Sequence, residues 1–279
     1  LQAIGGIRYH KHDSEQDYAL GYNSATDQLV SIGNSTAVSR TYGGNIGKWA
    51  NMTGYGLANF TWKDRYIFNG SIALDGSSRF GDQVSEGFRI ADKTYALFPA
   101  VAGAWVLSNE DFLKNSSKVD LAKLRLSYGL VGNDDIGNYN ARQNYVSQNF
   151  LGVQGLIRDG VSNPYLKWEK VEKINAGFDL ALFQERLNLT VDIYQNTTRD
   201  MLAYNPGNTL SGVSYYLYNN GSMRTKGIDV SLFGRVIDGS VKWDAGINLG
   251  HYKSRMLSMP ETSFSHYAGA TYITETGGA

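Results

Sequence analysis

Tyr66-Ile-Phe-Asn-Gly-Ser-Ile-Ala-Leu-Asp75 decides the fold. Read in steps of two, Tyr66, Phe68, Gly70, Ile72 and Leu74 fall on one side of an extended chain, and Ile67, Asn69, Ser71, Ala73 and Asp75 on the other. A tilted strand needs about 9–11 residues to cross the hydrocarbon core of a bilayer, and this stretch has that length. Leu187-Asn-Leu-Thr-Val-Asp-Ile-Tyr-Gln-Asn196 repeats the pattern, with Leu187, Leu189, Val191 and Ile193 opposite Asn188, Thr190, Asp192, Tyr194 and Asn196.

Five further runs alternate in the same way. Their apolar faces are Gly56/Ala58/Phe60/Trp62, Ala122/Leu124/Leu126/Tyr128/Leu130, Ile174/Ala176/Phe178/Leu180/Leu182, Ile228/Val230/Leu232 and Val241/Trp243/Ala245/Ile247/Leu249. One such run also describes a soluble sheet with one wet face. Seven of them predict an all-β chain, an antiparallel meander forming part of a large transmembrane β-barrel, with about nine strands.

The spacing between runs carries more information than any single strand. Short links fall at 63–65, 184–185 and the Asp238-Gly239 turn, with a medium one at 108–120 that is predicted to hold a small helix at 110–114. Long links fall at 11–52, 76–94, 131–170, 197–222 and beyond 253. The two kinds alternate, so every short link lies at one end of the sheet and every long link at the other. Outer-membrane barrels are built this way, and a sandwich has no reason to keep that parity.

Composition agrees. The chain has 279 residues with 26 basic and 26 acidic side chains, so no net charge draws it toward nucleic acid. Its 32 Gly, 19 Tyr and 4 Pro suit strands with tight turns and aromatic faces. There is no cysteine, and no run of 18 apolar residues that would make a transmembrane helix. The chain opens inside an apparent strand at Leu1 and stops in a polar stretch, 274–279, without a closing aromatic strand, so both ends read as cuts.

Side chains with catalytic or ligating potential do not assemble into a reaction centre. His10 and His12 share a strand face near Asp13 and Glu15, but a metal site needs three or four convergent ligands. Asp134-Asp135 lacks the ligand spacing of a calcium loop and reads as a solvated turn. No Gly-x-Ser-x-Gly elbow occurs. No enzyme, metal or cofactor is expected. Tyr215, Tyr216 and Tyr218 form the candidate substrate-binding cluster, in a long loop where aromatic rings can stack on a sugar or a peptide side chain, or pack the loop itself. Residues 214–218 are expected to tolerate deletion, as loop tips do. Trp62, Trp105 and Trp243 read as interfacial belt residues. Lys123, Arg125, Asp179, Asp192, Asp229, Arg235, Lys242 and Asp244 fall on the polar face with both signs, suited to pairing across strands in a wet lumen.

Two motifs, Asn163-Pro-Tyr-Leu-Lys-Trp-Glu169 and Asn220-Gly-Ser-Met-Arg-Thr-Lys-Gly-Ile-Asp-Val230, resemble the SusC/RagA family of TonB-linked outer-membrane transporters. Similar wording occurs in Asp75-Gly-Ser-Ser-Arg-Phe80, in Phe98-Pro-Ala-Val-Ala-Gly-Ala-Trp105, and in Leu124-Arg-Leu-Ser-Tyr-Gly-Leu-Val-Gly-Asn133 with Ile136-Gly-Asn-Tyr139. The resemblance implies a barrel of about 22 strands, plugged by an N-terminal domain, driven by the TonB system and capped by a SusD-like lipoprotein, importing oligosaccharides or peptides across the bacterial outer membrane. Residues 1–279 then read as a partial barrel domain without plug or TonB box. Two rivals stand beside this reading: a passive porin-type barrel, and a soluble glycan-binding β-sandwich or adhesin.

Overall fold

The computed structural model describes residues 1–21, 40–143, 145–151, 153–158, 161–206, 215–259, 263–267 and 270–274, with the single residues Thr26, Gln28 and Leu210. The alternating runs become long antiparallel strands. In chain order these are β1 (Gln2–Gly21), β2 (Arg40–Trp62), β3 (Tyr66–Ser77), β4 (Phe88–Ile90), β5 (Lys93–Val106) and β6 (Val119–Asn133). There follow β7 (Tyr145–Phe150), β8 (Val153–Arg158), β9 (Glu169–Leu182), β10 (Leu187–Arg199), β11 (Leu202–Pro206) and β12 (Tyr215–Asn219). Last come β13 (Ser222–Asp238), β14 (Lys242–Ser258), β15 (Ser263–Tyr267) and β16 (Ala270–Thr274).

Nine of these form one sheet in the order β1-β2-β3-β5-β6-β9-β10-β13-β14, with the short β4 added on β5. Each long strand pairs with its neighbours in sequence, so the sheet is a meander. The small hairpins β7–β8, β11–β12 and β15–β16 stand apart from it. They all lie in the long links.

Tight turns set the short-turn end. Arg65 N donates to Trp62 O at 3.1 Å across Lys63 and Asp64, both at φ near +50° (53° and 54°). Arg186 N donates to Phe183 O at 3.4 Å across Gln184 and Glu185, at φ 59° and 60°. Two successive left-handed residues make a type I′ turn, whose twist matches that of the strands it joins.

The two faces of the sheet differ as the alternation predicts. Phe60, Phe68, Ile72, Leu124, Leu126, Ile193, Ile247 and Leu249 are exposed together on one face, and no layer of the described residues covers them. A soluble sandwich would cover that face with a second sheet. Among the described residues, the buried apolar cluster lies instead at the long-loop end.

Two expectations are corrected, and one proline needs placing. Link 11–52 is largely strand: β1 and β2 stay paired from Lys11↔Ala50 to Gly21↔Arg40. Beyond the apolar band both faces are wet, so the alternation stops while the backbone ladder continues. The helix at 110–114 is a 3-10 turn at Leu107–Asn109 followed by one uncontinued helical turn, closed by Lys114 N to Glu110 O at 2.8 Å. Pro99 lies inside β5. The β6 ladder stops at Ala100, while pairing with β3 runs on past Ile72↔Pro99 to Asp75↔Ala96, so the residue without an N–H sits where one ladder has ended.

Candidate functional site

The polar face carries a charge ladder built by strand register. Lys123 stands opposite Asp179, and Arg125, Gly177, Asp192 and Asp229 form one row across β6, β9, β10 and β13. Arg125 grips Asp179 by two hydrogen bonds, Nε to Oδ2 at 2.8 Å and Nη2 to Oδ1 at 2.9 Å, and reaches Asp192 at 3.1 Å. Lys123 adds a 3.6 Å contact to Asp179. Asp192 and Asp229 would repel across their pair, and the Arg125 charge offsets this. Further along, Arg235 Nε donates to Asp244 at 3.0 Å. Lys242 lies apart from these, opposite Asp238 at the turn. The expected lumen set is therefore mostly paired.

At the long-loop end the sequence motifs converge. Phe80, Ala96, Ile136, Ala141, Leu166, Trp168 and Leu217 form a buried cluster with Phe98 and Leu202 against it. Phe80 and Trp168 rings lie 4.3 Å apart, and Trp168 Nε1 donates to Asp75 at 3.3 Å. Backbone bonds Gly81 N to Leu166 O and Gln83 N to Pro164 O, both 3.0 Å, join the 78–87 and 134–168 links. Asn163 Nδ2 donates to Leu217 O at 3.0 Å, and Asn219 Nδ2 donates to Lys167 O at 2.8 Å, bringing in the 200–221 link.

Charged groups clamp the same region. The Arg79 guanidinium lies over Trp49, 4.3 Å from its ring centre, and donates to Asn138 Oδ1 at 3.3 Å and Asp134 O at 3.1 Å. Asp134-Asp135, expected as a solvated turn, receives Arg79 at the Asp134 carbonyl, while the Asp135 carboxylate, 3.6 Å from Arg79, stays exposed. Lys167 bridges Glu86 at 2.6 Å and Asp200 at 3.1 Å, and Lys170 also bonds Glu86. Hydrogen bonds from Lys167 and then Lys170 hold the Glu86 carboxyl down to about 2, against an ordinary 4.5. Burial opposes the charge on Lys167, but its bonds to Glu86 and Asp200 outweigh that and raise its pKa.

A cavity of about 650 Å³ opens beside this cluster, lined in part by Met52, Ser78, Phe80, Asp82, Tyr95 and Arg142. Its size and mixed lining suit a small organic ligand or a piece of a longer one. The expected tyrosines lie elsewhere. Tyr216 and Tyr218 share one face of β12, ring centres 6.3 Å apart and edge to face, while Leu217 between them points into the cluster. Tyr215 pairs with Pro206 through its backbone, and its side chain lies outside the described residues. Tyr215–Asn219 is thus a strand and not a loop tip, and Leu217 anchors it in the cluster. Sequence reasoning missed this cluster and the cavity. The signal was available in the apolar Leu166 and Trp168 within a long polar link.

Trp62, Tyr66 and Trp105 stack in series at the short-turn end, with ring centres 5.6 and 6.2 Å apart. Trp105 Nε1 and Tyr66 Oη both donate to Glu110 Oε1, at 3.0 and 2.9 Å, and Arg65 bonds its other oxygen at 2.7 Å. These bonds, Trp105 first, keep the Glu110 carboxyl below its ordinary value. Apolar rings on the outer face with polar tips tied to a turn describe an interfacial belt, as expected for these tryptophans. His10 and His12 pack on Trp49, at 4.9 and 5.7 Å between ring centres.

Comparison with known proteins agrees with this architecture. The family model described as TonB dependent receptor-like, beta-barrel, matches residues 2–279. TonB-dependent receptor P3 of Formosa agariphila is 31% identical over 268 residues, 94% of this chain and 26% of that protein. TonB-dependent receptor SusC of Bacteroides thetaiotaomicron is 26% identical over 260 residues, 88% of this chain and 24% of that protein. A solved structure of the RagAB peptide importer in its closed-closed state superimposes with a TM-score of 0.83 at 26% identity, covering 99% of this chain and 30% of that one. The chain spans about a quarter of the length of the curated relatives it matches. The similarity noted in the motifs is borne out over the whole sheet: the chain belongs to the TonB-dependent receptor-like β-barrel family, beside SusC and RagA, and its strands cross the outer membrane of a Gram-negative bacterium.

Proposed function

We propose that the chain forms part of the barrel wall of a TonB-dependent transporter that imports oligosaccharides or peptides, with a SusD-like surface lipoprotein docking over the long-loop end. In this reading residues 1–279 are a partial barrel domain without a plug. The TonB system acts through a region outside them, and the work done is gated import without bond chemistry. Among the described residues β1 and β14 are open edges of the main sheet, which further strands would pair.

One observation carries the reading. Three long links at the same end of the sheet are tied to each other by a shared apolar cluster and the Asn163 and Asn219 bonds, so they present a fixed surface instead of separate loops. A rigid surface at the mouth of a barrel is what capture of a large solute and docking of a partner require. Tyr216 and Tyr218 are the aromatic pair assigned to that surface.

The test uses the intact protein with Tyr216→Ala and Tyr218→Ala together. Uptake of labelled oligopeptides and oligosaccharides and co-purification of the lipoprotein are measured, with the protease-cleavage pattern of the loops as a fold control. The expected result is a loss of uptake or docking with an unchanged cleavage pattern. Unchanged uptake and docking would remove this pair from the surface. Uptake that persists without TonB would make the barrel a passive pore.

A further inference from the structure

The outer face of β13 and β14 carries two rows of like charge. Lys226 stands directly opposite Lys253, and Arg224 directly opposite Arg255. Their parity is that of Val230 and of Ile228 and Leu249, exposed apolar residues of the same strands, so all four lie on the lipid side of the wall. Like charges in opposed cross-strand positions destabilise a sheet. Among the described residues none of the four makes an ion pair, and Arg224 Nε is buried without a hydrogen-bond partner. The neighbours across β10 are the neutral Gln195 and Thr197.

Several other outward cations toward the long-loop end are neutralised. Lys11 pairs with Asp13 at 2.9 Å, Arg199 with Glu172 at 3.3 Å, and Lys170 with Glu86. The quartet has no such partner among the described residues. Its height is also informative: ten residues of β14 separate Trp243, near the short-turn end, from Lys253. At about 3.3 Å per residue and a tilt of about 40°, they climb about 25 Å, the height of a barrel's apolar band. The first basic row therefore meets the bilayer where lipid head groups begin on the long-loop side.

We propose that Arg224, Lys226, Lys253 and Arg255 hold the phosphate-bearing head group of an anionic lipid in the outer leaflet. The acyl chains of that lipid lie down the Ile228, Val230, Ile247 and Leu249 surface directly below, and its phosphate supplies the counter-charge that the described residues do not. Arginine offers a forked donor to phosphate oxygens and lysine a point charge, so the two rows are complementary in their donors. This rests on the strand orientation already described and is independent of which solute the barrel imports.

The test uses the intact protein reconstituted in nanodiscs of phosphatidylcholine with or without phosphatidic acid, with native mass spectrometry reading the lipid retained. The unsubstituted protein is expected to retain phosphatidic acid over phosphatidylcholine. Lys226→Gln with Lys253→Gln is expected to weaken retention about thirtyfold, at about one basic contact's worth of attraction for each lysine. Lys226→Arg with Lys253→Arg keeps it. Heat-dependent electrophoretic mobility checks that the barrel is assembled. If the glutamine variant does not assemble, retention by the unsubstituted protein must fall with added salt, and salt-independent retention overturns the proposal. Equal retention of the two lipids also overturns it, as does full displacement by inorganic phosphate, which would mark a free-anion site. Capture of an acidic protein in place of lipid would make the face a protein interface and equally overturn it.

Discussion

Arg125 reaches Asp192 across Gly177. An added Cβ at Gly177 would lie 2.6 Å from both the Arg125 Cζ and an Asp192 carboxylate oxygen, so the glycine leaves the path that joins β6 to β10 over β9. The register alone puts Arg125 two strands from Asp192. Only a missing side chain between them lets the charges meet.

Gly177→Ala is therefore expected to separate Arg125 from Asp192 while leaving the Arg125–Asp179 fork in place. Crowding of this kind costs about 1–3 kcal/mol. Thermal unfolding of the intact barrel in detergent measures it, and an unchanged midpoint would show that the row relaxes freely.

Leu126 and Ser127 are adjacent on β6 and point to opposite faces. Leu126→Arg puts a charge in the lipid band, a change that costs about 2–4 kcal/mol near its middle. Ser127→Arg enters the polar lumen and is expected to be tolerated. Urea titration of vesicle-folded protein compares the two, and equal destabilisation would contradict the assignment of faces.

Trp168 is 2% exposed and central to the long-loop cluster. Trp168→Ala is expected to cost about 3–5 kcal/mol of local packing, as truncation of a buried aromatic does. The strands persist and the links lose protection. Hydrogen exchange of 78–87 and 161–168, against that of β9 and β10, reads the difference. Uniform loss across the sheet would mean that the cluster supports the whole barrel.

Glu86 gives a pH dependence with a definite sign. Its folded pKa, about 2, lies below the ordinary 4.5, so the link it makes to Lys167 and Lys170 is fully present above 4.5 and is lost as pH falls toward 2. Cleavage of 83–90 by an acid-active protease is expected to rise over that interval and not between neutral pH and 4.5. Glu86→Gln should bring the susceptible state to neutral pH.

The strand faces and the long-short parity were legible because lipid on one side and water on the other impose period two. Where that contrast ends, so does the signal: the upper halves of β1 and β2 pair residue for residue, yet both faces there are polar and nothing in the sequence marks the ladder. The loop cluster was hidden for a different reason. Phe80, Ile136, Leu166, Trp168 and Leu217 come from separate links, and no local period joins them. The tyrosines were read as part of a long loop, whereas they lie on the short strand β12, and Leu217 between them could not be seen as an anchor without its partners.

The nearest-neighbour order of the nine long strands also bears on how such a wall is made. No strand must wait for a partner from far along the chain, so each new hairpin can be laid against the last as it arrives, the kind of local connectivity that favours rapid assembly. The loop cluster cannot close in this way, since Leu217 arrives more than a hundred residues after Phe80. The first seven long strands, β1 to β10, can stand before the mouth is shaped, and a chain halted before β12 would have a partial sheet with no finished entrance.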